Sequence, residues 1–235
     1  MRVAWITGGS TGIGYAIAQS LAEADYTVVL SARNEDGLRT ACVDLENAGA
    51  KADYVALDVT RRSEVDGACR SILDRHGRID VLVNNAGFNV QARTWADLNP
   101  DEFDAVIAAN LSGTFYAIHA VLPSMRANGG GMIVNIASVA GRMVTIHGGV
   151  AYTAAKHGVF VLTESLNLSE SKNGIRACVV APGGVNTRAH SWRPQELRDA
   201  MLKPEDVARA VRFAVETPPH AAVSEIDICP ARHWG

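Results

Sequence analysis

The 235-residue chain has little excess charge of either sign. Lys and Arg number 22 against 25 Asp and Glu, so the formal net charge at pH 7 is −3. Without an excess of positive charge, the chain has no long-range attraction for a polyanion. We therefore expect neither nucleic acid nor an anionic membrane surface as a partner.

Cysteine and metal-binding motifs are also scarce. The four cysteines lie far apart in the sequence and form no Cys-x-x-Cys pair, which argues against a disulfide scaffold or a zinc site. The seven histidines include no pair at His-x-x-x-His spacing, the usual signature of a helical metal site. We expect buried free thiols and no catalytic metal.

Long hydrophobic runs and internal boundaries are missing as well. No apolar stretch approaches the roughly 18 residues of a membrane span. The first apolar run, residues 3–6, is too short for a secretory signal and is followed by no cleavage site. Since no linker, repeat or low-complexity tract divides the chain, we expect one cytoplasmic domain covering residues 1–235.

What the chain does contain is a regular alternation of short apolar runs and longer helical stretches. The short runs are apolar nearly throughout, which is typical of strands that are buried on both faces. Helices between successive strands favour βαβ units. The pattern predicts an α/β fold, a doubly wound parallel sheet of seven strands with helices on both faces. The predicted strands are 3–6, 26–30, 52–57, 79–83, 132–137, 175–180 and 223–228. The predicted helices are 14–24, 34–48, 63–76, 100–108, 110–127, 151–170 and 204–215.

A glycine-rich turn joins the first predicted strand to the first helix. Its glycines have the spacing G-x-x-x-G-x-G, which permits a tight turn, close approach of the backbone to a phosphate and close packing of helix on strand. The N-terminus of the helix adds free N–H groups and a partial positive charge. The turn therefore predicts a binding site for the pyrophosphate of a dinucleotide. The predicted contacts are Gly8, Ser10, Thr11, Gly12, Ile13 and Gly14.

The end of the second strand indicates which dinucleotide binds. An acidic residue there would hydrogen-bond the adenosine ribose and disfavour a 2′-phosphate. The strand runs instead into Arg33, whose guanidinium suits a phosphate. We expect NADP in preference to NAD, with a surface arginine at the start of the next helix as the alternative. At the end of the third strand, Asp58 and Val59 would border the adenine, unless Asp58 only caps a turn.

Three residues after the fifth strand predict acid–base chemistry. Tyr152 and Lys156 are four residues apart on a predicted helix and share one face. A free tyrosine has a pKa of about 10, and a nearby ammonium typically lowers the pKa of an acid by about 1–3 units. We expect Lys156 to lower the pKa of Tyr152 in this way. Ser138 supplies a hydroxyl for a substrate oxygen on which charge develops.

The order of these segments resembles the short-chain dehydrogenase/reductase family, in its single-domain form. The matching segments are TGGSTGIG, LDV at 57–59, NNAG at 84–87, Asn110 with Gly113, Ser138, Tyr152-x-x-x-Lys156 and PGGVNT at 182–187. The resemblance covers residue 3 to about residue 187. It implies a Rossmann-type fold, a homodimer or homotetramer, and interconversion of a carbonyl and a secondary alcohol by hydride transfer, with Tyr152 as acid and base.

The resemblance also implies roles for single residues. Lys156 would hold the nicotinamide ribose as well as assist Tyr152, and Asn110 would hold a water that links Lys156 to solvent. The NNAG segment would brace the centre of the sheet beside the cofactor, and the loop at 182–187 would cover the nicotinamide carboxamide. The cofactor residues implied in these segments are Asn85, Ala86, Gly87, Tyr152, Lys156, Pro182, Gly183, Val185 and Thr187.

The substrate, a small-molecule carbonyl or alcohol, would lie between the segment after Ser138 and the short segment 187–204. In the family that second segment forms a lid, and here it is short. Several cations in these segments suggest an anionic substrate, although solvated loop charges explain them more simply. The candidate residues are Arg142, His147, Arg188, His190, Trp192 and Arg193.

A second function of another class remains open on the same fold. Some relatives bind the nucleotide and act as non-catalytic sensors or scaffolds. That function usually accompanies a broken Tyr/Lys pair, whereas both residues are present here.

Overall fold

The computed structural model describes residues 2–188, 191 and 193–231 of the chain. Its seven strands form one sheet in the order β3-β2-β1-β4-β5-β6-β7. Every neighbouring pair of strands is parallel, which confirms the predicted doubly wound sheet. The strands are β1 (Arg2–Thr7), β2 (Tyr26–Ala32), β3 (Ala52–Ala56), β4 (Val81–Asn84), β5 (Gly131–Ile136), β6 (Ile175–Pro182) and β7 (Glu225–Ile228).

Helices cover both faces of the sheet, so each strand is buried on two sides. In β1, Ala4 and Ile6 pack against the layer of α1, α2 and α8, whereas Val3 and Trp5 pack against α3 and α5 on the opposite face. This double burial explains why the strands are apolar at consecutive positions. The helices are α1 (Gly12–Ala22), α2 (Glu35–Asn47), α3 (Arg62–His76), α4 (Pro100–Ile107), α5 (Gly113–Ala127), α6 (Val150–Glu170), α7 (Gln195–Asp199) and α8 (Pro204–Glu216).

Helices α4 and α5 form one continuous helical stretch, contrary to the two separate helices predicted. A π-helical turn, Ala108–Ser112, joins them. Within this turn the Asn110 side chain donates to the carbonyl oxygens of Val106 at 2.9 Å and Phe88 at 2.7 Å. These bonds bind the widened turn to the segment after β4. Such turns are frequent at functional sites.

The stretch Pro100–Ala127 is also long and apolar enough to cross a membrane, by length and composition alone. Its buried residues Ala117, Val121 and Met125 pack against the sheet together with α3. The apolar composition is therefore explained by the position of the helix in the core, as in many globular domains.

The strand order reverses between β1 and β4, and this reversal positions the site. The connection from β3 crosses the sheet to β4, which pairs with the opposite edge of β1. In sheets of this type a ligand crevice opens at the carboxyl ends of the strands at that point. The glycine turn after β1 and the NNAG segment after β4 therefore lie side by side.

The four cysteines are unpaired. Cys42, Cys69 and Cys178 are buried and Cys229 is half-buried. Burial raises the pKa of Cys178 to about 12, and that of Cys42 and Cys69 to about 11. These thiols are packing groups rather than nucleophiles.

Candidate active site

The N-terminus of α1 faces the crevice with its first-turn amides uncapped by a side chain. Thr11, the N-cap, makes no side-chain cap bond, whereas Asn34 and Asn99 cap α2 and α4. Since uncapped amides at a helix N-terminus suit an anion, this end of α1 fits the pyrophosphate predicted for it.

Glycine is required at two positions of the turn for different reasons. Gly8 has a φ of +65°, in the left-handed region that favours glycine. Gly14 instead lacks space: a Cβ there would overlap the Gly8 carbonyl oxygen and lie 2.6 Å from Asn85 Nδ2. The helix can therefore approach the turn closely only with glycine at position 14.

The NNAG segment ties β4 to the glycine turn. The Asn85 side chain donates to the carbonyl oxygens of Thr7 and Gly8, both at 3.1 Å. The backbone N–H groups of Asn85 and Ala86 donate to the Thr7 hydroxyl, also at 3.1 Å. Thr7 thus holds the NNAG segment against the glycine turn, although the sequence analysis did not single this residue out. Its signal was its position as the last residue of β1, directly before the turn.

The predicted adenosine side lies at the ends of β2 and β3. Arg33 follows β2 and is exposed. The Asp58 carboxylate accepts from the backbone and hydroxyl of Thr60 at 2.9 and 2.8 Å, so Asp58 does order a turn. Burial acts to raise the pKa of Asp58, but the Thr60 bonds and the charges of Arg33 and Arg61 hold it below its ordinary value. Arg33 and Asp58 are therefore neighbours, as their predicted roles require. Val59 lies beside them and packs against Gly113 of α5.

Ser138 and Tyr152 meet at the carboxyl end of β5. The Ser138 hydroxyl oxygen accepts from the N–H of Ala140 at 3.2 Å, which leaves the hydroxyl proton available for a second bond. Burial raises the pKa of Tyr152, while a hydrogen bond with Ser138 and the charge of Arg93 act in the opposite direction. Tyr152 therefore stays protonated at neutral pH.

Lys156 is placed differently from the expectation. Its ammonium donates to the Ile136 carbonyl oxygen at 2.8 Å and lies 5.4 Å from the centroid of the Tyr152 ring. The cation thus lies over the ring rather than at the phenol oxygen. Burial lowers the pKa of Lys156 to about 8. The predicted lowering of the Tyr152 pKa by Lys156 is therefore not found in this structure: burial outweighs the groups that lower this pKa, and those groups are Ser138 and Arg93.

Asn110 and Gly87 lie next to Lys156. The Asn110 side-chain oxygen is buried and has no hydrogen-bond partner among the described residues. A Cβ on Gly87 would overlap this oxygen and lie 3.7 Å from Lys156 Nζ, so glycine is needed for the three groups to converge. An unpartnered acceptor beside the ammonium suits the predicted proton relay, which stays a prediction.

A buried chain of amides and a hydroxyl links β4, β5 and α6. Asn84 donates to the side chain of Asn135 at 2.8 Å, and Asn135 donates to the Thr163 hydroxyl at 2.8 Å. Thr163 donates in turn to the Val159 carbonyl oxygen. Because fully satisfied buried networks fix a single geometry, this chain holds α6, and with it Tyr152 and Lys156, in register with the sheet. The asparagine within the apolar fifth strand was the sequence signal for it.

The loop after β6 is held from two sides. The Gly183 N–H donates to the Ile228 carbonyl oxygen at 2.8 Å, and Leu202 exchanges backbone bonds with Gly184 and Asn186. The C-terminal segment therefore supports this loop, which includes Pro182, Val185 and Thr187. The Thr187 methyl group lies 3.5 Å from the position of a Cβ on Gly12, so the loop reaches the glycine turn.

The predicted substrate residues that the structure describes have different surroundings. Arg142 pairs with Glu225 and Asp227 of β7 and stacks on the Phe160 ring at 4.8 Å, so its charge is already compensated. His147 and Arg188 are exposed and Arg193 is half-buried. His190 and Trp192 lie outside the described residues. Within the described ranges, no group of three His, Cys, Asp or Glu residues is arranged to hold a metal ion.

The fold and the site together define a dinucleotide-binding oxidoreductase. The family model described as short chain dehydrogenase matches residues 2–197. An uncharacterized oxidoreductase of Staphylococcus aureus (strain MRSA252) is 34% identical over 230 residues, which cover 97% of this chain and 97% of the relative.

Solved structures give the same assignment. A metagenomic short-chain oxidoreductase in complex with NADP has a TM-score of 0.84 at 34% identity, covering 97% of this chain and 96% of that one. A variant of the actinorhodin polyketide ketoreductase with NADPH has a TM-score of 0.90 at 32% identity, with the same coverage. The chain belongs to the short-chain dehydrogenase family, as its motifs predicted.

Proposed function

We propose that this protein is an NADP-dependent oxidoreductase that interconverts a carbonyl and a secondary alcohol. The observation that carries the proposal is the convergence of Ser138, Tyr152 and Lys156 at the mouth of the crevice. The uncapped end of α1 and the glycine turn would hold the pyrophosphate. The bound dinucleotide would supply the hydride, from C4 of its nicotinamide.

The protein's own residues would handle the substrate oxygen and its proton. In reduction, the Ser138 hydroxyl donates a hydrogen bond to the carbonyl oxygen, and Tyr152 transfers its phenolic proton to the same oxygen. Burial favours this direction at neutral pH, because the raised pKa keeps Tyr152 protonated. In oxidation Tyr152 would act as the base, so that direction should accelerate as the pH rises.

Two features support the preference for NADP, and a third supports the oligomeric state. Arg33 follows β2 and its charge acts on Asp58, which fits a role in binding a 2′-phosphate. Two structural relatives were solved with NADP and NADPH. Exposed apolar side chains on α5 and α6 favour a homodimer or homotetramer built through these helices. They are Phe115, Val161 and Leu168.

Replacement of Tyr152 by Phe tests the proposal directly. We expect kcat for carbonyl reduction to fall by about 10³-fold or more, because no other group donates the proton. The dissociation constant for NADPH, measured by fluorescence titration, should change less than about threefold, since the phenol is not part of the glycine turn that would hold the pyrophosphate.

The matched control is Tyr116→Phe, which removes a phenol from the sheet-facing side of α5. This variant should keep its turnover. Retention of more than a tenth of wild-type turnover by Tyr152→Phe would contradict the proposed acid–base role.

A further inference from the structure

The segment between β4 and α4 contains one arginine, Arg93, at the first turn of the catalytic helix. Its carbonyl oxygen accepts from the N–H of Val150, the first residue of α6, at 3.3 Å. Its side chain crosses Gly149, the N-cap of α6, where a Cβ would lie 2.8 Å from Arg93 Cδ. Tyr152 belongs to the same turn, and the charge of Arg93 acts on its phenol, so the Arg93 side chain lies near the group that would carry the proton.

The guanidinium of Arg93 is incompletely bonded. Its Nη1 is buried and has no hydrogen-bond partner among the described residues. The nearest acid, Asp97, accepts instead from the backbone N–H groups of Arg93 at 3.2 Å and Thr94 at 2.6 Å. A buried donor without an acceptor is unfavourable, which is a reason to look for an acceptor on a ligand.

The charge of Arg93 acts on the reacting group. Burial lowers the pKa of Arg93, and the charges of Asp97 and Tyr152 oppose this effect. Reciprocally, Arg93 favours the phenolate of Tyr152. A guanidinium remains protonated at all ordinary pH values, so a cation with a free donor borders the place where the carbonyl would react.

The contrast with Arg142 shows why Arg93 is the better anion site. Arg142 lies in the segment named from the sequence, but Glu225 and Asp227 already neutralise it. At Arg93, by contrast, Nη1 is buried without a hydrogen-bond partner among the described residues. A bound anion would therefore be attracted to Arg93 more strongly than to Arg142.

We propose that Arg93 binds a carboxylate of the substrate, and that the enzyme interconverts a 2- or 3-oxo acid and the corresponding hydroxy acid. This inference rests on the proposed function. A planar guanidinium pairs with a carboxylate through parallel hydrogen bonds. Its closeness to Tyr152 requires that the carboxylate and the reacting carbonyl be separated by few bonds.

The reaction leaves the carboxylate unchanged. Hydride adds to the carbonyl carbon, the C=O π electrons go to oxygen, and that oxygen takes the proton of Tyr152. The carbonyl is reduced to a secondary alcohol, and the reduced dinucleotide is oxidised. Arg93 would orient the acid and neutralise its charge beside the oxygen on which negative charge develops.

The test compares oxo acids with their methyl esters, which keep the carbonyl and lose the charge. We expect the wild type to show a kcat/KM at least tenfold higher for an acid than for its ester. In Arg93→Met the value for acids should fall about 10- to 100-fold, as for loss of a charged hydrogen-bond pair, and that for esters less than about threefold. Arg209→Met, which removes an exposed arginine of α8, should change neither value.

A binding measurement gives the answer without turnover. Malonate, titrated by calorimetry in the presence of NADP⁺, should bind the wild type and Arg209→Met alike and bind Arg93→Met at least tenfold more weakly. Arg93→Gln, which keeps a polar stem, serves if the Met variant fails to fold. Methylphosphonate is the second probe: tighter binding than malonate would overturn the choice of a carboxylate.

Two further results would overturn the inference. Equal losses of kcat/KM on acids and esters, with an alkaline shift of the pH profile, would mean that Arg93 acts only through Tyr152. Malonate binding that is unchanged in Arg93→Met would exclude the anion site. If the wild type reduces other carbonyls but neither these acids nor their esters, the oxo-acid assignment fails and the proposed function stands. If the wild type reduces no carbonyl of a broad panel, the proposed function fails, while the malonate titration still decides the role of Arg93.

Discussion

The carboxyl edge of the sheet has two parts that are built in different ways. The dinucleotide half, residues 7–14, 31–33, 57–59 and 84–87, is formed largely by backbone amides, glycines and bonds between adjacent turns. The part that we propose binds substrate, here the substrate half, comprises residues 88–97, 138–149, 183–188 and 193–203 and exposes large apolar side chains. Trp95, Val144 and Ile146 are 87%, 86% and 81% exposed.

The difference teaches how one fold serves a shared cofactor and a particular substrate. Backbone groups recognise a phosphate whichever side chains surround them, so the dinucleotide half is recognisable as a motif. Side chains on loops carry the specificity of the substrate half. Under our proposal, that specificity depends on which charges the fold leaves uncompensated. Arg142 pairs with Glu225 and Asp227, whereas Arg93 Nη1 has no partner among the described residues.

The largest effect is expected from Gly14→Ala, which challenges the backbone character of the dinucleotide half. The new Cβ would overlap the Gly8 carbonyl oxygen, and only backbone movement relieves that contact. We expect NADPH affinity to weaken by 100-fold or more, or the variant to unfold at a lower temperature. Fluorescence titration and thermal unfolding measure both effects.

The control for this prediction is a glycine with open space. Gly67 lies in α3, and the nearest atom to a Cβ there is Arg70 Nη2 at 3.9 Å. Gly67→Ala should leave NADPH binding unchanged and stabilise the protein by up to about 1 kcal/mol, because alanine favours helix. A Gly14→Ala variant that binds and unfolds like the wild type would refute the steric argument.

Arg33→Asp tests the side chain that we propose favours NADP. The carboxylate would repel a 2′-phosphate and suit the free ribose hydroxyls. We expect the ratio of kcat/KM for NADPH to that for NADH to fall about 100-fold, with kcat itself nearly constant. Arg39→Asp, at an exposed position of α2, should have a much smaller effect. An unchanged NADP preference in Arg33→Asp would invalidate the assignment.

The smallest effect concerns Lys156, which lies where the two halves meet. Its folded-state pKa of about 8 is below the ordinary value. Below pH 8 the buried lysine is charged, and the destabilisation from burying this charge has its full value. Between pH 8 and the unfolded-state pKa, stability should therefore rise with pH. In urea unfolding at pH 7, the free energy of unfolding of Lys156→Met should exceed that of the wild type by about 1–2 kcal/mol, although the variant loses the bond to Ile136.

The pH dependence distinguishes this explanation from a packing effect. The difference in unfolding free energy between Lys156→Met and the wild type should shrink toward pH 10, because Lys156 in the folded wild type loses its proton there. Lys172→Met, at an exposed position, should show no such dependence. A Lys156→Met variant that is less stable than the wild type at every pH would mean that the bond to Ile136 outweighs the burial of charge.

Local sequence signals predicted the sheet well, because strands buried on both faces must be apolar. They were less accurate at boundaries and breaks. The fourth strand was predicted at 79–83 and lies at Val81–Asn84, since its paired register with β1 begins at Val81. The π-helical turn was also missed, because it is set by the bonds of Asn110 across the site.

The sequence by itself determined the fold class, through the periodicity of its strands and helices, and the family, through the resemblance of its motifs and their order along the chain. Only the tertiary structure decided the electrostatics. The pKa of Tyr152, the pairing of Arg142 and the unpartnered donor of Arg93 depend on residues that are distant in sequence. Burial and charge act through space, and spacing along the chain carries no record of either.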